Sequence, residues 1–219
     1  MKEKVIESFN RIALLEDKWD HNQRYSELLL KKMGHGLDNI LDIGCGTGEF
    51  TVKAAKRANR VTGVDIAPQM IIEAQKRHQA DNIEYILQDF ESMKTNVQYD
   101  CIVSIAAFHH LQLDIVLPKI LGMLKPGGAL IVLDLYERKG ALDLFLDIIA
   151  VPLNIIVKLV KNGRRAKNRA ELEAWNEHIS LDHYMTIKAL KSMYKTYFYD
   201  VKFKRLIFWR YATVCRKEK

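Results

Sequence analysis

From residue 38 onward, short apolar runs alternate with segments whose apolar residues recur at helical spacing. Asn39-Ile40-Leu41-Asp42-Ile43-Gly44 is an apolar run ending in glycine and predicts a buried strand. Residues 49–60 predict a helix and residues 60–65 a second strand. Pro68 sits at a first helical turn, where its missing N–H costs nothing, and residues 69–79 continue as a helix. Residues 82–87 and 99–106 predict a third and a fourth strand. Residues 113–124 predict a helix closed by Lys125-Pro126-Gly127-Gly128, and residues 129–135 a fifth strand. Residues 1–36 look helical, with Leu28, Leu29, Leu30 and Met33 toward a core and Gly34 and Gly36 as the stop. Residues 140–182 break the alternation: they are apolar, then basic at Lys158, Lys161, Arg164, Arg165, Lys167 and Arg169. A helix over 186–198 and two strands, 200–205 and 208–215, complete the chain. The short connection between those strands makes them antiparallel.

Short strands alternating with helices predict a doubly wound, mostly parallel α/β sheet. Ligands in such sheets bind outside the carboxyl ends of the strands, where the strand order reverses. Asp42, Asp65, Asp89 and residues 106–110 all fall at predicted carboxyl ends. The turn Gly44-Cys45-Gly46-Thr47-Gly48 lets backbone approach a ligand closely, and unpaired N–H groups at the following helix start would favour an anionic group. Asp65 can accept hydrogen bonds from both hydroxyls of a ribose, or cap the helix at Pro68. Asp89 can accept from an adenine amino group, with Phe90 beside it. A dinucleotide site would show G-x-G-x-x-G, whereas Gly44, Gly46 and Gly48 are evenly spaced, and no nucleoside-triphosphate loop is present.

Leu41-Asp42-Ile43-Gly44-Cys45-Gly46-Thr47-Gly48, Val64-Asp65, Gln88-Asp89-Phe90, Tyr99-Asp100-Cys101-Ile102 and Leu124-Lys125-Pro126-Gly127-Gly128 resemble, in order and spacing, the motifs of class I S-adenosylmethionine-dependent methyltransferases. The subgroup they resemble is the small-molecule type that includes quinone-biosynthesis enzymes, and the resemblance covers residues 38–135. It implies a Rossmann-like seven-stranded sheet with an antiparallel last strand. It implies one domain over 1–219: an N-terminal helical segment (1–36), a cofactor-binding core (38–139), a helical cap insertion (140–185), and a C-terminal helix with the final strands (186–219). It also implies roles. Asp42 and Gly44, with Cys45, Gly46 and Gly48 of the turn, would hold the amino-acid end of S-adenosylmethionine. Asp65 would hold the ribose, and Asp89 with Phe90 the adenine. Ile66 and Met70 would pack on adenine or ribose, and Ile105 or Ala106 would lie beside the methionine portion.

Methyl transfer from a sulfonium is an in-line displacement with a good leaving group, so positioning carries much of the catalysis. His109 and His110 follow the fourth strand near the expected methyl, where one could act as general base; the alternative is that both are structural. Trp19, His21 and Tyr25 could fold over the cofactor or simply pack the terminal helix, and Trp175 and His178 could line an acceptor pocket. No metal ligand set is expected.

Charge and composition narrow the partners. The net charge of +7 is modest, 48% of the 219 residues are hydrophobic, and a solvated basic face explains the surplus. The apolar-then-basic stretch over 145–169 reads as a cap helix with its lysines in water; contact with an anionic membrane surface is the alternative. The chain lacks an N/D-P-P-Y/F motif and any aromatic–basic stripe, which argues against nucleic acid. Three scattered cysteines without a framework suit a reducing cytoplasm, and the charged first residues do not read as a signal peptide. The expectation is a methyltransferase acting on a small molecule and yielding S-adenosylhomocysteine. The alternatives are a catalytically silent binding protein, or an RNA or protein methyltransferase. Oligomeric state is not legible.

Overall fold

The computed structural model describes residues 2–15, 21–162 and 169–219. Seven strands form one sheet in the order β3-β2-β1-β4-β5-β7-β6: β1 (Leu37–Ile43), β2 (Ala58–Asp65), β3 (Ile83–Leu87), β4 (Tyr99–Ile105), β5 (Leu124–Leu135), β6 (Asp200–Arg205) and β7 (Arg210–Arg216). β1 to β5 pair in parallel, whereas β7 runs antiparallel to both β5 and β6. The order reverses between β1 and β4, which places a crevice at their carboxyl ends.

Successive side chains of a strand point to opposite faces, so each central strand feeds two cores. Leu41, Ile43, Ile102 and Leu130 pack with Val116, Leu117 and Ile120 of α5 (Leu113–Met123) and Leu190 and Tyr194 of α8 (Ile187–Tyr197). Ile40, Val61, Val103 and Ile131 pack with Leu29, Leu30 and Met33 of α2 (His21–Met33) and with Ala54 of α3 (Thr51–Ala54). α1 (Lys2–Ile12) lies against α4 (Pro68–Arg77) through Phe9, Ala13, Ala67 and Met70. The insertion forms α6 (Ala141–Asn162) and α7 (Arg169–Leu181).

Two boundaries differ from expectation. The helix expected over 49–60 closes after Ala54, passes through a 3-10 turn at Ala55–Arg57, and yields to β2 at Ala58. The Asn82 amide donates to the carbonyls of Ala55 (2.9 Å) and Ala58 (3.0 Å), satisfying groups that an ended helix leaves open. The Lys125-Pro126-Gly127-Gly128 stop lies inside β5, which starts at Leu124 opposite Tyr99.

Asp143 and Asp147, which interrupt the apolar run of α6, anchor that helix. Asp143 accepts from Tyr136 (3.0 Å) and Arg205 (2.8 Å), and Asp147 from Arg138 (2.6 Å) and Trp209 (2.7 Å). Among the described residues, no helix is long and apolar enough to cross a membrane.

Candidate active site

The glycine turn closes the carboxyl end of β1. Gly44 has φ +69°, and a Cβ there would lie 2.4 Å from the Ala107 Cβ, so only glycine fits between the β1 and β4 ends. Gly48 is demanded for packing instead: a Cβ would meet the Tyr85 hydroxyl at 2.4 Å, and the residue is not part of the cleft lining. Ala106, at the end of β4, has φ +53°, a sparsely populated region for a side chain and a local strain at the crevice.

Most N–H groups of the turn itself are already paired. The amides of Gly44 and Cys45 donate to the Val64 carbonyl (2.8 and 3.1 Å), that of Gly46 to Asp65 (2.9 Å) and that of Gly48 to the Cys45 carbonyl (3.0 Å). The following helix is only four residues long. The edge also presents the carboxylates of Asp42, Asp65 and Asp89, which suits a ligand carrying hydroxyls and positive charge better than a pyrophosphate.

Asp42 is 2% exposed and accepts from the Thr51 hydroxyl at 2.7 Å. Burial pushes its carboxyl up to about 7 against the opposing hydrogen bond from Thr51, and Asp65 adds to the rise. Asp65 accepts from the Gly46 amide with Oδ2 and from the Ala67 amide with Oδ1 (both 2.9 Å), bracing the turn and the start of α4. Burial raises its pKa while these amides oppose the shift. Each oxygen keeps a second lone pair, and Asp65 lines the cleft. Asp89 accepts from the Glu91 amide (2.9 Å) and from the Lys2 ammonium (2.7 Å).

Cys45, Gly46, Ile66, Met70, Phe90, Ile105 and Ala106 line the same cleft, as do Trp175 and His178. Tyr25 does not: it is buried among the α2 core residues, and its hydroxyl donates to the Ile207 carbonyl at 2.8 Å. Asn22, Gln23 and Ser26 of α2 reach the cleft. Trp19 and the side chain of His21 lie outside the described residues, as do the side chains of Lys158, Lys161, Arg164, Arg165 and Lys167.

His109 and His110 meet a group of residues from the cap. His109 Nδ1 lies 2.6 Å from Asp134 Oδ1 at the end of β5, and the His109 amide donates to Asp134 Oδ2 at 2.8 Å. Asp182, just past α7, places Oδ1 at 3.5 Å from His109 Nε2, 3.6 Å from His110 Nε2 and 3.8 Å from His178 Nε2, while its other oxygen accepts from Tyr184. Burial alone would lower His109, but the Asp134 and Asp182 carboxylates raise it to about 9. Burial, reinforced by the neighbouring His109, holds His110 down to about 4. One imidazole is therefore charged at neutral pH and the other is not. Ser8 and Arg11 of α1 bind His178 and Glu177 of α7 (3.1 and 2.9 Å), so α1 and α7 roof the cleft together.

Residues 40–128, the span of the glycine turn and three carboxyl ends, match the family described as "Methyltransferase domain". That segment of the chain is similar to methyltransferase domains. An uncharacterized methyltransferase of Mycobacterium bovis is 32% identical to this chain over 120 residues, covering 54% of the chain and 61% of that protein. Malonyl-[acyl-carrier protein] O-methyltransferase 1 of Ilyobacter polytropus is 34% identical over 113 residues, covering 49% of the chain and 42% of that protein. The chain thus spans less than two thirds of the length of these curated relatives. The solved N-methyltransferase NodS of Bradyrhizobium japonicum, in complex with S-adenosylhomocysteine, shares the fold with a TM-score of 0.68 at 18% identity, over 99% of this chain and 100% of that one.

Asp134 and Asp182 are the residues of the histidine cluster that sequence reasoning missed. Asp134 carried a usable signal, being an acidic residue near the end of an apolar strand run, like Asp42 and Asp65. Asp182 carried none, because its place depends on how the cap folds back.

Proposed function

We propose that this chain binds S-adenosylmethionine along the carboxyl ends of β1 to β3 and transfers its methyl group to a small-molecule acceptor beneath α7. The observation that carries this is one continuous cleft of about 1810 Å³ joining the carboxylate edge to the histidine cluster. Single-ligand pockets run to about 1,000 Å³, so cofactor and acceptor fit side by side. Asp42, with the Gly44–Gly46 backbone, takes the amino-acid end of the cofactor and Asp65 the ribose hydroxyls. Asp89 and Phe90 take the adenine, Ile66 and Met70 pack on it, and Ile105 and Ala106 border the methionine portion.

In the reaction, a lone pair of the acceptor attacks the methyl carbon. The carbon–sulfur bond breaks, its electron pair neutralises the sulfonium, and S-adenosylhomocysteine leaves. An acceptor oxygen or nitrogen that must lose a proton gives it to His110, whose imidazole lines the cleft and stays neutral at physiological pH. His109, held charged between two carboxylates, is not a base there; it supports the geometry. The relatives act through both oxygen and nitrogen, so the acceptor atom is left to experiment. The test is formation of S-adenosylhomocysteine from S-adenosylmethionine with a small-metabolite extract, comparing wild type with His110→Gln. Turnover that falls in the variant supports the proposal; no turnover above the protein-free rate contradicts it.

One observation favours a lipophilic acceptor taken from an anionic surface. Phe145, Ile148, Val151, Ile155, Ile156 and Val160 of α6 are exposed, and the sequence after them is basic. Sedimentation with vesicles containing anionic lipid tests it: binding that weakens with salt supports this source, and no binding removes it.

A further inference from the structure

The histidine cluster also has the geometry of a cation site. His109 Nε2 and His110 Nε2 lie 3.5 and 3.6 Å from Asp182 Oδ1, and one ligating atom of each of these three residues lies within 4.8 Å of the other two. Each is buried and without a hydrogen-bond partner among the described residues. The His109 and Asp182 side chains are each 4% exposed, so water does not satisfy these atoms from bulk. Asp134 accepts a hydrogen bond from His109 Nδ1 at 2.6 Å, so the Nε2 atom facing Asp182 is the one that can give up its proton to a metal. A cation bound here would replace the Nε2 proton of His109, as metal binding displaces protons from its ligands.

We propose that His109, His110 and Asp182 form a binding site for one divalent transition-metal ion. Two imidazoles and one carboxylate select a borderline ion such as Zn²⁺ or Co²⁺ over Mg²⁺ or Ca²⁺, which prefer all-oxygen shells. The separations from Asp182 suit it: metal–ligand bonds of about 2.0–2.2 Å at tetrahedral angles place neighbouring donors roughly 3.4 Å apart, against 3.5 and 3.6 Å here. The His109–Asp134 bond is the outer support that metal-bound histidines commonly have. His178 Nε2, 3.8 Å from Asp182 Oδ1, borders the remaining coordination position. The ligands come from the segment after β4 and from the cap, so the ion would tie the cap to the sheet. It would also occupy His110, and on the reading of His110 as base it would therefore inhibit methyl transfer rather than assist it.

The test is titration of the full chain, freed of metal by chelator and desalted, with Co²⁺ followed by visible absorbance. The expected result is one Co²⁺ per chain, displaced by Zn²⁺. Binding should weaken by more than about tenfold in His110→Gln and in Asp182→Asn, and by roughly 10- to 100-fold in Asp134→Asn, which touches no metal. No uptake by the wild type, or equal uptake by wild type and both ligand variants, overturns the site. Titration of the same samples with S-adenosylhomocysteine reports separately on the cofactor site and confirms that each variant is folded.

Discussion

The ammonium of Lys2, the first residue of α1, lies 2.7 Å from Asp89 Oδ2 past the carboxyl end of β3, and a second contact at 2.5 Å joins it to Glu91. α1 is thereby strapped across the end of the cleft assigned to adenine. The Lys2 side chain is half exposed, so the pair contributes little to global stability, about 1 kcal/mol or less. Its effect belongs to closure. Lys2→Met is expected to leave the melting temperature nearly unchanged and to speed S-adenosylhomocysteine dissociation by up to about fivefold. Stopped-flow displacement measures this, and an unchanged off-rate would detach α1 from cofactor retention.

Asp42 links cofactor affinity to pH. Its pKa of about 7 comes from burial. A ligand ammonium beside it favours the ionised form, so binding costs an extra deprotonation below that value. Affinity should be constant above about pH 8 and fall by up to roughly tenfold per unit below about pH 7. Calorimetry across that range checks it. Asp42→Asn should bind weakly with a flatter profile, and an equally steep profile in the variant would place the titration elsewhere.

His109 makes the opposite contribution, to stability. Its pKa is raised from 6.5 to about 9 by Asp134 and Asp182, despite burial. A group raised on folding stabilises fully below its unfolded pKa, and that contribution disappears as pH rises through the folded one. Thermal unfolding in the presence of chelator should therefore show the largest gap between wild type and His109→Gln near about pH 6, narrowing by about pH 10. A gap independent of pH would mean that the ring stabilises by packing alone.

Much of this was legible in the sequence because strand ends are local features. A short apolar run ending in Asp or Gly identifies the carboxyl edge, and β1, β2 and β3 bring Asp42, Asp65 and Asp89 to that edge without further information. Helix ends were less legible. Nothing local to residues 49–60 reveals that Asn82, from the loop before β3, satisfies the Ala55 and Ala58 carbonyls and ends the helical segment there. The glycine turn was located from the sequence, but not that the amides of Gly44, Cys45 and Gly46 pair with Val64 and Asp65, which only the pairing of β1 with β2 makes possible. Tyr25 was expected either over the cofactor or in the packing of its helix, and the helix turns it toward Ile207. Asp182 meets His109 and His110 across more than seventy residues of chain, a juxtaposition no sequence window contains.

The central claim is that the carboxylate edge at the glycine turn holds an adenosyl amino acid. Calorimetric titration of the full chain with S-adenosylhomocysteine, beside Asp65→Ala, tests it most directly. The account predicts one site per chain and a loss of about 1.5–3 kcal/mol in the variant, the usual worth of hydrogen bonds to a charged group. Absence of binding by the wild type, or wild-type affinity in a folded Asp65→Ala protein, would contradict it.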